Sequence, residues 1–271
     1  MLSKSRNIGK VLQSSMSSMT KLDPVQEALL TEPCILVNSK DEVLGSASKR
    51  ECHEVSSGTS LLHRAFSLFV FNSRDELLLQ QRSDTKITFP GLENRRKIYF
   101  FLSISSTIWN EKQIIGLWTN TCCSHPLATP TELEEAGQLG VRTAAQRRLE
   151  LELGVPHSQA QVQDIKFVTR ILYEAESDSV WGEHELDYIL MLRQSQLDVK
   201  PNSDEVKDIE WVAKDHLQEF LRDLESRNVG ITPWFKLCTK VWKQISWNLV
   251  HRSIISFYRN CCLIGGKIYT D

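Results

Sequence analysis

The sequence predicts an α/β fold, a sandwich in which helices pack on a mixed β-sheet. Two observations predict it: short apolar runs bounded by turn residues recur along the chain, and three longer segments among them have helical spacing. The chain has 271 residues, of which 41% are hydrophobic and 24% charged. That is enough to bury one substantial core.

The predicted strands are short apolar runs, and polar turns join the first four runs into two hairpins. The first turn is Ser39-Lys40-Asp41, and the second covers residues 72–75. In chain order the predicted strands span residues 34–38, 43–44, 65–72, 77–81, 167–175, 185–193 and 206–212.

Three segments are predicted to be helical. In residues 141–153 apolar side chains recur at helical spacing, and Gly154-Val155-Pro156 ends the run. Residues 215–226 and 233–250 also show helical patterns, and Pro233 suits the first turn of the last helix.

One main domain is expected over residues 33–250. It lies between an N-terminal extension at 1–32, either disordered or targeting, and a divergent tail at 251–271. Residues 92–116 lack clean periodicity and interrupt the domain as an insertion into a loop. A loop tolerates added length, because doubling it costs only about 0.6 kcal/mol.

Charge and cysteine content exclude several classes of protein. The net charge of -2 argues against nucleic-acid binding, while a local basic pocket for a small anion stays possible. Seven cysteines, an odd number, include the adjacent pairs Cys122-Cys123 and Cys261-Cys262 and do not suggest a disulfide framework. We therefore expect a reducing compartment, the cytoplasm.

The first 22 residues leave a second compartment open. They carry Lys4, Arg6, Lys10 and Lys21 and no acidic residue. Such a composition is typical of a mitochondrial transit peptide, and equally of a tail with no targeting role. No run of 18 uninterrupted apolar residues exists, so no membrane span is expected.

Three histidines, His53, His63 and His125, stand in polar or turn-like contexts beside apolar strands. Each alone is more often structural, but three imidazoles with a carboxylate bind a transition metal. Alternation along a strand places Glu183 and Glu185 on one face, with His184 opposite. Paired carboxylates need a cation or a proton between them, unless they line a solvated strand edge.

Arg148 and Glu152 share one face of the first predicted helix. They form either a surface salt bridge worth roughly 0.3–0.5 kcal/mol or a site for a phosphate and its magnesium. The segment also looks like a decayed Nudix box, in which Arg147-Arg148 and Leu151-Glu152 keep only the last glutamate. Cys123 lies two residues before His125, where a nearby charge can tune the reactivity of its thiol. The alternative is a buried, inert cysteine.

Six stretches together resemble the type I isopentenyl-diphosphate isomerase family, in the family's order. The runs Asn120-Thr121-Cys122-Cys123-Ser124-His125-Pro126 and Gly182-Glu183-His184-Glu185 carry most of the specificity. The stretches are residues 61–67, 80–86, 118–126, 144–154, 181–188 and 231–234. The resemblance covers roughly residues 33–247 except 92–116, and it implies a Nudix-like α/β/α sandwich with a mixed β-sheet.

The resemblance implies interconversion of isopentenyl and dimethylallyl diphosphate in isoprenoid and sterol-precursor biosynthesis. Cys123 and Glu185 would flank the alkene as the proton-handling pair. A divalent metal, with zinc favoured over magnesium or manganese, would bind at His53, His63, His125, Glu183 and Glu185. A second ion, Mg²⁺, would accompany the substrate diphosphate on Glu152.

The remaining substrate contacts are also implied by the resemblance. Tyr173 matches a tyrosine beside the catalytic carboxylate, and the Trp234 indole would face the cationic carbon. The cations for the diphosphate would be Lys49, Arg82, Lys86 and Arg148. We expect a monomer whose partner is this small isoprenoid diphosphate.

Two departures from the family pattern leave other functions open. The 92–116 insertion separates segments that are contiguous in the family, which suggests a retained intron, a gene-model error or a splice variant. An inactive relative that acts as a binding protein, or a Nudix-type diphosphate hydrolase, are the alternatives. The last residues, Ile268-Tyr269-Thr270-Asp271, are not a peroxisomal address.

Overall fold

The computed structural model describes residues 24–56, 59–84, 86, 115–177, 179–244, 261–264 and 267–270. Residues 1–22, most of the 92–116 insertion and the last six residues of the predicted 233–250 helix lie outside this part of the chain. No described helix is both long enough and apolar enough to cross a membrane.

Twelve strands and five α-helices lie in the described residues. The strands are β1 Pro33–Val37, β2 Val43–Ser48, β3 His63–Phe71, β4 Glu76–Arg82, β5 Ile115–Thr119, β6 Cys122–Ser124, β7 Lys166–Glu176, β8 Gly182–Arg193, β9 Val206–Ala213, β10 Val229–Ile231, β11 Cys261–Ile264 and β12 Lys267–Thr270. The helices are α1 Pro24–Leu29, α2 Lys49–His53, α3 Leu139–Leu153, α4 Leu217–Ser226 and α5 Pro233–Gln244.

The sheet is mixed, and β3 lies at its centre. It pairs in parallel with β8 over nine residues, from His63 opposite Glu185 to Phe71 opposite Arg193. β3 also pairs antiparallel with β4, β6 and β1. β7 pairs antiparallel with β8. Because β6, β3, β8 and β7 are neighbours, side chains on one face of these four strands meet.

Helices cover both faces of the sheet, which gives three layers. Along β3 alternate side chains point to opposite sides, so Phe66 and Leu68 pack under α3 while Phe69 and Phe71 pack under α4 and α5. The α3 layer is closed by Val141, Ala144, Ala145, Leu149 and Leu153. The opposite layer is closed by Leu217, Leu224, Trp234, Phe235 and Cys238.

Helix boundaries follow from local chemistry. The Ser48 hydroxyl accepts from the Glu51 backbone N–H, and the Glu51 carboxylate accepts from the Ser48 backbone, so a capping box starts α2. Helix α3 ends at Gly154, whose φ of 64° is left-handed, as the sequence predicted.

The predicted α/β class and mixed sheet are confirmed, and each predicted strand and helix falls on an observed one. The predictions omitted two helices, α1 with six residues and α2 with five, and the strands β5, β6, β10, β11 and β12, each of five residues or fewer. Segments this short carry too little periodicity to be recognised. Helix α1 lies within the predicted 1–32 extension, and the last two residues of the predicted insertion belong to β5.

Candidate active site

A cavity opens on the face of the sheet that α5 covers, and it gathers side chains from distant parts of the chain. Strands β3, β6, β7 and β8 supply its floor, α1 and α2 one wall, and Arg148 on α3 reaches it from the far side of the sheet. Its polar and aromatic lining includes Lys49, His53, Ser67, Arg82, Lys86, Cys123, His125, Arg148, Tyr173, Glu183, Glu185 and Trp234.

Three imidazoles and one carboxylate converge at one end of this cavity. His53 ends α2, His63 begins β3, and His125 follows β6. Their ring centroids are 4.8–4.9 Å apart. Donor atoms of the three histidines and of Glu185 all lie within 4.8 Å of one another. We call these four residues the histidine end of the cavity.

The orientation of the rings fits a metal ion. The Nδ1 atoms of His53 and His63 lie 2.7 Å from the backbone oxygens of Lys49 and Leu61, which fixes the tautomer with Nε2 unprotonated. Both Nε2 atoms are buried without a hydrogen-bond partner among the described residues. They lie 3.9 and 3.6 Å from Glu185 Oε1, while His125 Nε2 lies 2.8 Å from it. Burial first, then His63 and His125, lower the pKa of His53, so its ring stays neutral, as a ligand requires. Burial would also lower the pKa of His63, but the neighbouring Glu185 carboxylate outweighs it and raises that pKa.

Tyr173 ties the two glutamates of β8 together. Its hydroxyl lies 2.5 Å from Glu183 Oε2 and 2.8 Å from Glu185 Oε2. Burial and then the Glu185 charge raise the pKa of Glu183 to about 8. A phenol has one proton, so both contacts are satisfied when Glu183 is protonated and Glu185 ionised. Glu183 therefore adjoins the histidine end without belonging to its converging ligand atoms.

Cys123 faces the same cavity, and its neighbour Cys122 does not. Cys122 is completely buried in the α3 layer, whereas Cys123 packs toward the opposite layer. Burial raises the pKa of the Cys123 thiol to about 12, with Arg82 opposing the shift. Arg82 Nη1 lies 3.8 Å from Cys123 Sγ, and its guanidinium carbon lies 5.4 Å from the centre of a Trp234 ring.

Trp234 is held in place by a buried polar network. Its indole Nε1 donates to Asn120 Oδ1 at 3.0 Å, and the Asn120 amide donates to the backbone oxygens of Leu68 and Cys122. Its ring centroid lies 6.3 Å from that of Tyr173. The indole is 3% exposed, so its orientation is set by the fold.

Cations and carboxylates alternate at the other end of the cavity, which we call the cationic end. Arg148 Nη2 donates to Glu152 Oε1 at 2.5 Å and to Glu205 Oε2 at 3.2 Å. Lys86 pairs with Glu205 and lies 3.7 Å from Glu152. Burial alone would raise the pKa of Glu152, but Lys86 and Arg148 outweigh it and hold that pKa at about 2.

Two alternatives that the sequence left open, a surface salt bridge at Arg148 and Glu152 and a solvated strand edge at Glu183 and Glu185, are wrong. Arg148 and Glu152 are each 1% exposed in their side chains, so they are not a surface salt bridge. Glu183 and Glu185 are 5% and 6% exposed, so β8 is not a solvated edge here.

Lys49 lines the cavity and is half-buried. Burial, followed by the charges of Arg148 and Lys86, lowers the pKa of its amine.

Several residues of the site carried no signal in the sequence. Glu205 joins the cationic end through pairs that span 57 and 119 positions. Gln26 on α1 donates to Glu205 Oε1 at 3.1 Å, which attaches the first helix to the cavity. Ser67 and Asp187 share a buried hydrogen bond of 2.8 Å beside it. Only the folded sheet brings these residues together.

Similarity to known proteins identifies the family of this chain. A model of the NUDIX domain family matches residues 101–235. Isopentenyl-diphosphate Delta-isomerase 1 of Bos taurus is 42% identical over 236 residues, which cover 87% of this chain and 92% of that protein. Isopentenyl-diphosphate Delta-isomerase I of Clarkia breweri is 44% identical over 241 residues, which cover 87% of this chain and 72% of that one.

Solved structures were also compared. The protein DR0079 from Deinococcus radiodurans superposes with a TM-score of 0.47 and 16% identity, over 77% of this chain and 98% of that chain. The sequence identities above, sustained over almost the whole length of the bovine protein, decide the family. The chain belongs to the type I isopentenyl-diphosphate Delta-isomerase family of the Nudix superfamily.

Proposed function

We propose that this chain interconverts isopentenyl diphosphate and dimethylallyl diphosphate in isoprenoid biosynthesis, at the cavity described above. The observation that carries the proposal is the presence of a thiol, a carboxylate and a buried indole in one cavity with a cluster of cations. Protonation of the alkene makes a tertiary carbocation, and loss of a proton from the neighbouring carbon completes the shift. That chemistry needs an acid and a base on opposite sides of a flat substrate.

Cys123 and Glu185 are the proposed proton-handling pair. They stand on β6 and β8, with β3 between them, so a substrate lying over β3 has one on each side. Glu185 is buried and Cys123 is half-buried, which limits the access of water to a carbocation. Tyr173 donates to Glu185 and holds the orientation of that carboxylate.

His53, His63, His125 and Glu185, with Glu183 beside them, would hold the divalent metal. Three imidazoles favour zinc on ligand softness, ahead of magnesium or manganese. Once bound, the ion supplies positive charge that tunes the proton affinity of the Glu185 carboxylate. The Nε2 atoms of His53 and His63, which have no hydrogen-bond partner within the described part of the chain, support this assignment.

Arg82, Lys86, Arg148 and Lys49 would bind the substrate diphosphate, and Glu152 its Mg²⁺. Lys86 and Arg148 already contact Glu152, which supports a shared site for phosphate and metal. At the other end of the substrate, the Trp234 indole would face the cationic carbon. Such an attraction is worth about 1–2 kcal/mol when desolvated.

The cellular setting belongs to the same proposal. The five described cysteines are all free, which supports a reducing compartment, the cytoplasm. A transit peptide at residues 1–22 would direct the chain to mitochondria instead, and import of a fluorescent fusion separates the two. A monomer built from the 33–250 domain is proposed, and sedimentation of the purified chain tests it.

The direct test is conversion of isopentenyl diphosphate to dimethylallyl diphosphate by purified protein, with Mg²⁺ present and zinc supplied. Conversion by the full chain supports the proposal and makes 92–116 a tolerated loop. No conversion by a folded, metal-loaded protein, with phosphate released from a nucleoside diphosphate derivative, would favour the hydrolase. No reaction of either kind by a folded chain would favour the binding protein.

A shortened chain that lacks residues 92–116 is the matched comparison, and its sequence suits the fold. Gly116 has a left-handed φ of 45°, and a Cβ there would meet the Gln81 side chain, so this position favours glycine. After the deletion Gly91 precedes Leu117 and takes that place. Conversion by the shortened chain alone would mean that the insertion disables or regulates this isoform.

A further inference from the structure

Ser67 and Asp187 form a buried pair that the reaction proposed above does not use. Ser67 Oγ donates to Asp187 Oδ2 at 2.8 Å. Each residue is 1% exposed, and Ser67 lines the cavity. The second carboxyl oxygen, Asp187 Oδ1, has no hydrogen-bond partner among the described residues.

The position of Asp187 is unfavourable for stability alone. On its face of β8 it stands next to Ile189, which packs in the apolar α4–α5 layer. A buried polar atom that is left without a hydrogen bond costs stability. A half-satisfied buried carboxyl therefore calls for an explanation in function.

The pair lies between the two proposed proton-handling groups. Ser67 is opposite Cys123 in the antiparallel β3–β6 pairing, so these side chains share a face. Asp187 follows Glu185 by two positions on β8, on that same face. Across the strands the order is Cys123, Ser67, then Asp187 with Glu185 beside it.

We propose that the Ser67 hydroxyl contacts the reacting carbons and favours the carbocation, and that Asp187 is the positioning residue that orients this hydroxyl. The inference rests on the proposed isomerase reaction and adds two residues to it. A hydroxyl has one proton, and here that proton goes to Asp187. The oxygen lone pairs are thereby left for the cavity.

An oxygen dipole fixed in this way acts selectively on the transition state. Before proton transfer the alkene is neutral and gains little from the dipole, whereas the carbocation gains a favourable charge–dipole interaction. Groups held in place before the reaction stabilise developing charge without reorganising, and their effect is strong where water is excluded. Without Asp187 the hydroxyl is free to turn its proton toward the cation, which reverses the sign of the interaction.

The test compares binding of two diphosphates by calorimetry. One carries a tertiary ammonium group in place of the cationic carbon. The other, called the neutral compound, is a diphosphate with a saturated, uncharged alkyl chain of the same shape. Ser67→Ala and Asp187→Val are expected to weaken binding of the ammonium compound about tenfold and of the neutral compound less than twofold. A role in folding alone would weaken both compounds equally, and that result would overturn the inference.

Asp187→Asn is the matched control, because its amide oxygen still accepts from Ser67. We expect it to bind the ammonium compound within threefold of wild type and to keep most of the kcat that Asp187→Val loses. The double variant Ser67→Ala/Asp187→Val is expected to be no weaker than Ser67→Ala, since Asp187 acts through Ser67. Additive losses in the double variant would contradict that dependence. If Ser67→Ala does not fold because Asp187 is left buried without a hydrogen bond, the same measurements on Asp187→Val provide the test.

Turnover of isopentenyl diphosphate by wild type in the same preparations separates the two levels of proposal. If wild type does not convert it, the proposed function fails, and this inference with it. If wild type converts it while Ser67→Ala and Asp187→Val have wild-type kcat and wild-type affinity for the ammonium compound, this inference alone fails. Zinc content is measured throughout and is expected to be unchanged, since neither residue is among the converging ligand atoms.

Discussion

The two ends of the cavity solve the problem of buried polar groups in different ways. At the histidine end, the Nε2 atoms of His53 and His63 are buried and have no hydrogen-bond partner among the described residues. At the cationic end, Lys86 and Arg148 are both in contact with the carboxylates of Glu152 and Glu205. The first end offers buried ring nitrogens that could bind a metal ion, whereas the second already balances two positive charges with two negative ones.

This difference predicts how each end would respond to its proposed ligand, a metal ion at the histidine end and a diphosphate at the cationic end. The inward-facing ring nitrogens would gain a partner from the proposed metal ion, so binding would stabilise that end. The cationic end would have to exchange partners, because the proposed diphosphate would compete with Glu152 and Glu205 for Lys86 and Arg148. The proposed Mg²⁺ ion would be held by these carboxylates and would supply the positive charge that they lose.

The largest expected effect comes from Glu185→Gln, which breaks the histidine end. The variant removes both a converging ligand and a proposed proton carrier, so conversion of isopentenyl diphosphate should fall by about 10⁴-fold. Glu174→Gln on the neighbouring strand β7 is the control, since Glu174 is exposed and outside the cavity. Its rate should stay within twofold of wild type. A Glu185→Gln variant that keeps a tenth of wild-type kcat would contradict the proposed role.

The next effect, on stability, breaks the cationic end. Arg148→Met leaves Glu152 and Glu205 buried with Lys86 alone, so the free energy of unfolding should fall by about 3–5 kcal/mol. Arg227→Met is the matched control, because Arg227 and Asp223 form an ion pair with the same four-residue spacing but are more than half exposed. That loss should be about 0.5 kcal/mol. Equal losses in urea denaturation would mean that burial does not distinguish the two pairs.

The pair of Arg148 and Glu152 also marks where sequence reasoning reaches its limit. Four-residue spacing on a helix is identical for buried and surface pairs, so the sequence left both open. Only the sheet packed against α3 decides between them. The histidine end was easier to predict, because its residue types are rare and its two short runs are specific to one family.

The residues that sequence reasoning missed depend on contacts between distant parts of the chain. Glu205 and Asp187 look like ordinary acids beside or within strands, and their importance comes from partners 57 to 120 positions away. Gln26 lies in a six-residue helix that reaches the cavity through Glu205. The apolar run of β3, in contrast, was enough to predict a strand at residues 65–72.

Zinc binding sharpens the comparison at the histidine end. At a free zinc concentration of 100 times Kd, the wild-type chain should gain about 2.7 kcal/mol in unfolding free energy. His63→Ala removes an inward ring nitrogen, so its gain, measured against its own metal-free form, should largely disappear. His157→Ala should keep the full gain, since His157 is half exposed and pairs with Glu150 away from the cavity. A full zinc gain in His63→Ala would place the metal elsewhere.

The smallest expected effect probes the charge balance of the cationic end. Glu205→Gln removes one of its two carboxylates but keeps an oxygen that accepts from Lys86 and Arg148. Inorganic pyrophosphate should then bind about tenfold more tightly without Mg²⁺, or 1.4 kcal/mol. This gain is smaller than the roughly 3 kcal/mol interaction energy of two unit charges about 6 Å apart at an effective dielectric constant of 20. Glu132→Gln, a buried carboxylate paired with Arg147 outside the cavity, should leave the affinity unchanged. Weaker binding in Glu205→Gln, measured by calorimetry, would mean that Glu205 positions the two cations more than it neutralises them.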